Sequence, residues 1–143
     1  MPSRVVIIAD GIFPKTDYPR YLIRTADFII CCDGALQKFL RNSEGIFGEE
    51  RLPDLVIGDM DTLPSSYRKK YADIIVTVDE QDHNDQTKAF RWVMENLDGV
   101  EEILIQHFGL IIAALTLLNL FHETALLVDG VVQLGVGVSQ LGV

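Results

Sequence analysis

Short runs of uninterrupted apolar residues recur along this chain, at 5–9, 28–32, 55–57, 74–78 and 103–105. A strand with one wet face alternates apolar and polar residues; a run without alternation marks a strand buried on both faces. Only a sheet covered by helices on both sides meets that demand. The intervening segments supply the helices, at residues 18–25, 35–40, 65–71 and 84–97. In the last of these Ala89, Val93 and Leu97 recur at four-residue spacing, with Phe90 and Met94 flanking the stripe. Residues 41–51 read as a polar, glycine-containing loop. The apolar stretch at 110–121 reads as a further buried helix, and 125–128 as the start of another strand.

Strand–helix alternation predicts an α/β fold: an open, doubly wound, mostly parallel sheet in a three-layer αβα arrangement. Residues 1–129 form that catalytic-type domain. Residues 130–143 carry no charge and are rich in Gly, Val and Leu, which reads as the beginning of a β region.

Charge narrows the partners. A formal net charge of −9 over 143 residues argues against nucleic acid or an anionic membrane as the main partner. It is also awkward for an enzyme of anionic phosphates unless metal cations mediate, a weak hint of metal that many acidic proteins share. No apolar run approaches the length of a membrane span, and 5–9 is too short for a secretion signal. Cys31 and Cys32 are neighbours in a predicted strand, so they face opposite ways and do not pair; no Cys/His spacing suggests zinc. These features predict a cytoplasmic protein with reduced core cysteines.

In open α/β sheets ligands bind at the carboxyl ends of the strands. Here those ends carry Asp10, Asp33, Asp59 with Asp61, and Asp79 with Asp82 and Asp85. In Pro53-Asp-Leu-Val-Ile-Gly-Asp-Met-Asp-Thr62 a short strand ends at a glycine that permits a tight turn. Asp59 and Asp61, two apart, would share a face in extended backbone. Such a pair suits Mg²⁺, which takes one or two carboxylates together with phosphate oxygens and water. A solvated acidic turn is the plainer alternative. The second segment, 79–85, crowds acidic and amide groups just before a helix, where Asn84 or Asp85 can serve as N-cap. Lys88, three residues beyond Asp85, can reach a bound phosphate or pair with that carboxylate. His83 reads as a solvated loop residue, Trp92 as a packing residue, and Asp10-Gly11 as a turn.

The ordered set Asp33-Gly-Ala, Pro53 to Thr62, and Gln81-Asp-His-Asn-Asp-Gln-Thr-Lys-Ala89 resembles the thiamine pyrophosphokinase family over residues 4–128. The resemblance implies transfer of a diphosphoryl group from ATP to the hydroxyl of thiamine, giving thiamine diphosphate and AMP. It assigns Asp59, Asp61 and Asp85 to metal binding and catalysis with Mg²⁺. Asp33, Gln81, Asp82, Lys88 and His107 fall at nucleotide- or substrate-binding positions. It further implies a homodimer built through a C-terminal β-sandwich, of which 130–143 would be a remnant. One departure stands out: the family's glycine-rich loop, ending in Arg-x-Asp-His/Gln, is missing, and Gln106 runs straight into His107.

Two other readings compete. Residues 55–62 also resemble the D-x-D-x-T segment of haloacid-dehalogenase-type phosphatases, with Asp59 as nucleophile, although there the motif usually ends the first strand. The other is a non-catalytic Mg-nucleotide-binding module, which the missing loop would favour.

Overall fold

A computed structural model describes residues 2–80, 83–107 and 110–115. The chain order is β1 (Arg4–Ile8), α1 (Asp17–Arg24), β2 (Phe28–Cys32), α2 (Ala35–Phe47), β3 (Leu55–Gly58), α3 (Ser65–Lys70), a 3₁₀ turn (Ala72–Ile74), β4 (Ile75–Thr77), α4 (Asp85–Asn96), β5 (Glu102–His107) and β6 (Leu110–Leu115). The strands form one sheet in the order β4-β3-β2-β1-β5-β6. Five are mutually parallel, and β6 runs antiparallel to β5.

Period-2 geometry divides the central strands between two cores. Val5, Ile7, Ile30, Cys32, Leu55 and Ile57 face α4, where Ala89, Phe90 and Val93 meet them. Val6, Ile8, Ile29, Cys31 and Val56 face α1 and α2, meeting Ile23, Leu36 and Phe39. Both faces are dry, as the unbroken apolar runs require, and each buried Ile or Phe contributes about 1.5–3 kcal/mol. Cys31 and Cys32 fall on opposite faces, and both are free thiols. Trp92 packs at the margin of the α4 core, stacked on Phe28 at 5.9 Å.

Two elements differ from the sequence reading. The segment at 41–51 is a loop only from Gly48 onward, because α2 continues to Phe47. Leu36, Phe39, Ser43 and Ile46 make one buried stripe, and that packing outweighs the roughly 1 kcal/mol cost of Gly45 inside a helix. The helix stops at Gly48, whose φ of 77° suits glycine. The other difference is at 110–121, where a helix was expected and residues Leu110–Leu115 form β6. A short apolar run has no period that separates helix from strand. Only two residues part this run from β5, and that closeness favours an antiparallel neighbour over a crossover. The strand predicted at 125–128 and the β remnant at 130–143 lie outside the described residues. Strand β5 passes through Gln106 and His107 as one element. No helix among the described residues is long and apolar enough to cross a membrane.

Candidate metal and phosphate site

Three turns deliver carboxylates to the carboxyl edge of the sheet. The first follows β2, where Asp33 takes a left-handed backbone conformation, φ 45°. Its N–H donates to the Ile57 carbonyl at 2.9 Å, which ties the end of β2 to β3. The residue is 1% exposed, and neither carboxylate oxygen has a hydrogen-bond partner. Burial pushes its pKa up to about 6, against a smaller opposing pull from Thr62.

The second turn follows β3. Asp59 and Asp61 converge, but not through extended backbone as their spacing suggested. Met60 between them is left-handed, φ 67°, with its side chain buried in the α1–α2 core. That tight turn lets the Asp61 N–H donate to Asp59 Oδ1 at 3.2 Å. The bond, joined by smaller pulls that include the Lys88 charge, lowers the Asp59 pKa. Two non-glycine residues in the left-handed region cost about 1–2 kcal/mol each, a strain that recurs at functional sites. One carboxylate oxygen from each of Asp33, Asp59 and Asp61 lies within 4.8 Å of the others. Oxygens on a common Mg²⁺ lie at most about 4.2 Å apart, twice the 2.1 Å bond length. Cis oxygens on an octahedral ion lie closer still, about 3 Å apart, so the three carboxylates would draw together on a shared ion.

The third turn precedes α4. Asn84 is the N-cap, accepting from the Thr87 N–H at 2.9 Å. That leaves the carboxylate of Asp85 uncommitted to the cap. It reaches over Gly58, where a methyl group would lie 3.1 Å from the carboxylate; Gly58 also has φ 146°. Glycine is thus required here on two counts. Burial raises the Asp85 pKa, and the neighbouring Lys88 ammonium opposes the shift. Lys88 is buried, its Nζ 3.6 Å from Asp85 Oδ1.

Among the described residues, Asp33, Asp59 and Asp61 are therefore the acidic side chains close enough together to share an ion, and the Asp85 carboxylate lies against Gly58. This differs in membership from the set Asp59, Asp61 and Asp85 drawn from the motifs. Gln81 and Asp82 lie outside the described residues, and His107 is placed by its backbone alone, opposite Leu110. His83 is not merely solvated: it sits between Glu80 at 2.8 Å and Arg91 at 3.1 Å, pinning the approach to α4.

Sequence reasoning missed three neighbours, Thr62, Lys38 and Arg68. Thr62 accepts from the Gly34 N–H at 3.2 Å and donates to Asp10 Oδ2 at 3.3 Å, so the turn at Asp10 is built into the rim. Lys38 holds the other Asp10 oxygen and the Gly11 carbonyl. Arg68 of α3 lines a cavity of about 480 Å³ that opens beside Asp59 and also touches Thr77 and Asp79. A threonine directly after the D-x-D pair was a readable signal for the first; nothing in the spacing pointed to Arg68.

Residues 19–111, well over half the chain, match the family model described as thiamin pyrophosphokinase, catalytic domain. Among solved structures the fold is similar to three thiamin pyrophosphokinases. The yeast protein is 21% identical, with 68% of this chain and 36% of that one covered and a TM-score of 0.49. The Geobacillus thermodenitrificans protein is 18% identical, with 66% and 42% covered and a TM-score of 0.47. The Candida albicans protein is 20% identical, with 70% and 38% covered and a TM-score of 0.46. The chain thus spans less than half the length of each of these. No curated protein matches it.

Proposed function

The chain belongs to the thiamin pyrophosphokinase family through its catalytic domain, and from that premise we propose that it transfers a diphosphoryl group from ATP to thiamine. The hydroxyl oxygen of thiamine bonds to the β-phosphorus, the bridging bond to the α-phosphate breaks, AMP leaves, and the hydroxyl proton is lost to solvent.

The observation that carries this reading is the buried carboxylate of Asp33, without a hydrogen-bond partner, facing Asp59 and Asp61. A buried anion in that state is costly unless a cation meets it. Hard oxygen donors fit Mg²⁺, so Asp33, Asp59 and Asp61 would hold the ion, with Asp85 available beside them. When bound, Mg²⁺ would neutralise charge on the transferring phosphates. The chain's own contribution is positional: the hydrogen-bonded ends of β2 and β3 and the capped start of α4 hold the carboxylates before substrate arrives. Gln81, Asp82 and His107 are proposed to contact nucleotide or thiamine, and Arg68 lies where it can face the phosphates across the cavity beside Asp59. A cytoplasmic location and a homodimer complete the proposal.

The phosphatase reading loses ground, because the family match covers both the D-x-D turn and the segment through Lys88, which that scheme leaves without a part. The binding-module reading differs in one outcome. Thiamine-dependent release of AMP from ATP with Mg²⁺ supports the transferase, whereas calorimetric binding of MgATP without AMP release supports the module. Asp59→Asn and Asp61→Asn are expected to lower turnover at least 100-fold with the fold intact by circular dichroism, as loss of charge at the reacting centre does in comparable sites. Wild-type activity in either variant overturns the assignment.

A further inference from the structure

Lys88 is the only basic residue that is buried among the described residues, and it sits beside the Asp85 carboxylate. Its side chain is 3% exposed, and its Nζ donates to the Val78 carbonyl at 3.0 Å. The same ammonium lies 3.6 Å from Asp85 Oδ1. Val78 in turn donates its N–H to the Gly58 carbonyl at 2.7 Å, and Gly58 is the residue over which the Asp85 carboxylate lies. Lys88, Val78, Gly58 and Asp85 therefore close a ring that joins the end of β3, the end of β4 and the first turn of α4.

We infer that Lys88 is a positioning residue, an internal counter-charge that holds the Asp85 carboxylate over Gly58 instead of contacting a bound phosphate. An ammonium carries three N–H donors. One is spent on Val78 and a second points the charge at Asp85, while the head group is almost wholly covered. A phosphate contact needs the opposite arrangement, a cation at the surface with its donors turned outward. Asp85, by contrast, keeps 28% of its side chain exposed. It can meet an incoming cation directly, whereas the covered Lys88 head group touches the carboxylates at Asp85.

The inference rests on reading the carboxylates as a cation site for nucleotide, so its test separates the two. Affinity for ATP with Mn²⁺ is measured by calorimetry in the wild type, Lys88→Met, Asp85→Asn and the double variant, beside kcat and KM for ATP. Lys88→Met is expected to weaken binding about threefold or more and to lower kcat about tenfold. The double variant should bind within about twofold of Asp85→Asn alone, the non-additivity of a residue acting through its partner. Additive losses, or a tenfold rise in KM for ATP with kcat unchanged, would mean a direct phosphate contact and overturn the inference. Unchanged binding and turnover in Lys88→Met overturn it as well. Should the Met variant fail to fold, Lys88→Gln, which keeps a donor for Val78 without the charge, runs through the same cycle. A wild type that binds no ATP with Mn²⁺ removes the cation-site reading, and this inference with it. Binding in the wild type together with an additive cycle removes only the role given to Lys88.

Discussion

At the scale of single residues, the site is made by side chains that local rules disfavour. Asp33 is buried and left-handed, and its carboxylate oxygens have no hydrogen-bond partner, three costs on one residue. With its pKa raised from 3.8 to about 6, the folded state holds a proton that the unfolded chain has already released. That contribution to stability is fully present below pH 4 and is lost as pH rises through 6. In chelator, urea denaturation should therefore show the metal-free protein losing stability between pH 4 and 6, by up to about 2–3 kcal/mol from this group. Asp33→Asn, neutral at every pH, should flatten that slope while weakening divalent-cation affinity; an unchanged slope rejects the account. Gly58 makes the complementary case. Gly58→Ala places a methyl group 3.1 Å from the Asp85 carboxylate at φ 146°. It should cost about 1–3 kcal/mol of stability and displace Asp85. Thermal melts and a calorimetric Mn²⁺ titration on that variant check both effects.

Among the elements, those legible in the sequence were the ones whose burial is uniform. The central strands β1, β2 and β3 are dry on both faces, so nothing polar interrupts them and their runs read directly. The stripe on α4 read equally well, down to Asn84 as one of two possible caps. What failed was decided by tertiary contacts. Ser43 is buried in α2 with its hydroxyl satisfied by the Leu40 carbonyl, so a polar letter hid a core position. At β6 the apolar run fits either element, and pairing with β5 settles it. The strand-end carboxylates were legible in the sequence, but the approach of Asp33 to Asp59 and Asp61 was not. Asp33 joins Asp59 and Asp61 because β2 and β3 are neighbours in the sheet, a fact of topology that no motif spacing carries. The cap gives a prediction of its own. Asn84→Ala removes the 2.9 Å bond to Thr87 and should cost about 1 kcal/mol. Because the capped turn also carries Asp85, cation affinity should fall with it. A melt that moves while affinity stays fixed would show the cap to be purely structural.

For the molecule as a whole, the carboxyl edge of the sheet concentrates negative charge on a chain already at −9. The carboxylates sit at the ends of β2 and β3, not at the reversal of strand order between β1 and β5, where open sheets more often bind their ligands. The ends of β1 and β5 are instead bridged by protein, with the Ala9 N–H donating to the Gln106 carbonyl and the Gln106 amide to the Ile12 carbonyl. Mutual repulsion at the rim is therefore carried by the folded state alone, since the unfolded chain separates these groups. A divalent cation that binds only the folded form must stabilise it, by about 2.7 kcal/mol when present at 100 times its dissociation constant. For a domain of this size that corresponds to a rise in Tm of several degrees. Mg²⁺ at matched ionic strength should thus raise the wild-type melting temperature where Na⁺ does not, and Asp59→Asn should abolish most of the rise. An equal rise in both proteins would mean that the ion merely screens a crowded surface, and the three turns would lose their claim to a specific site.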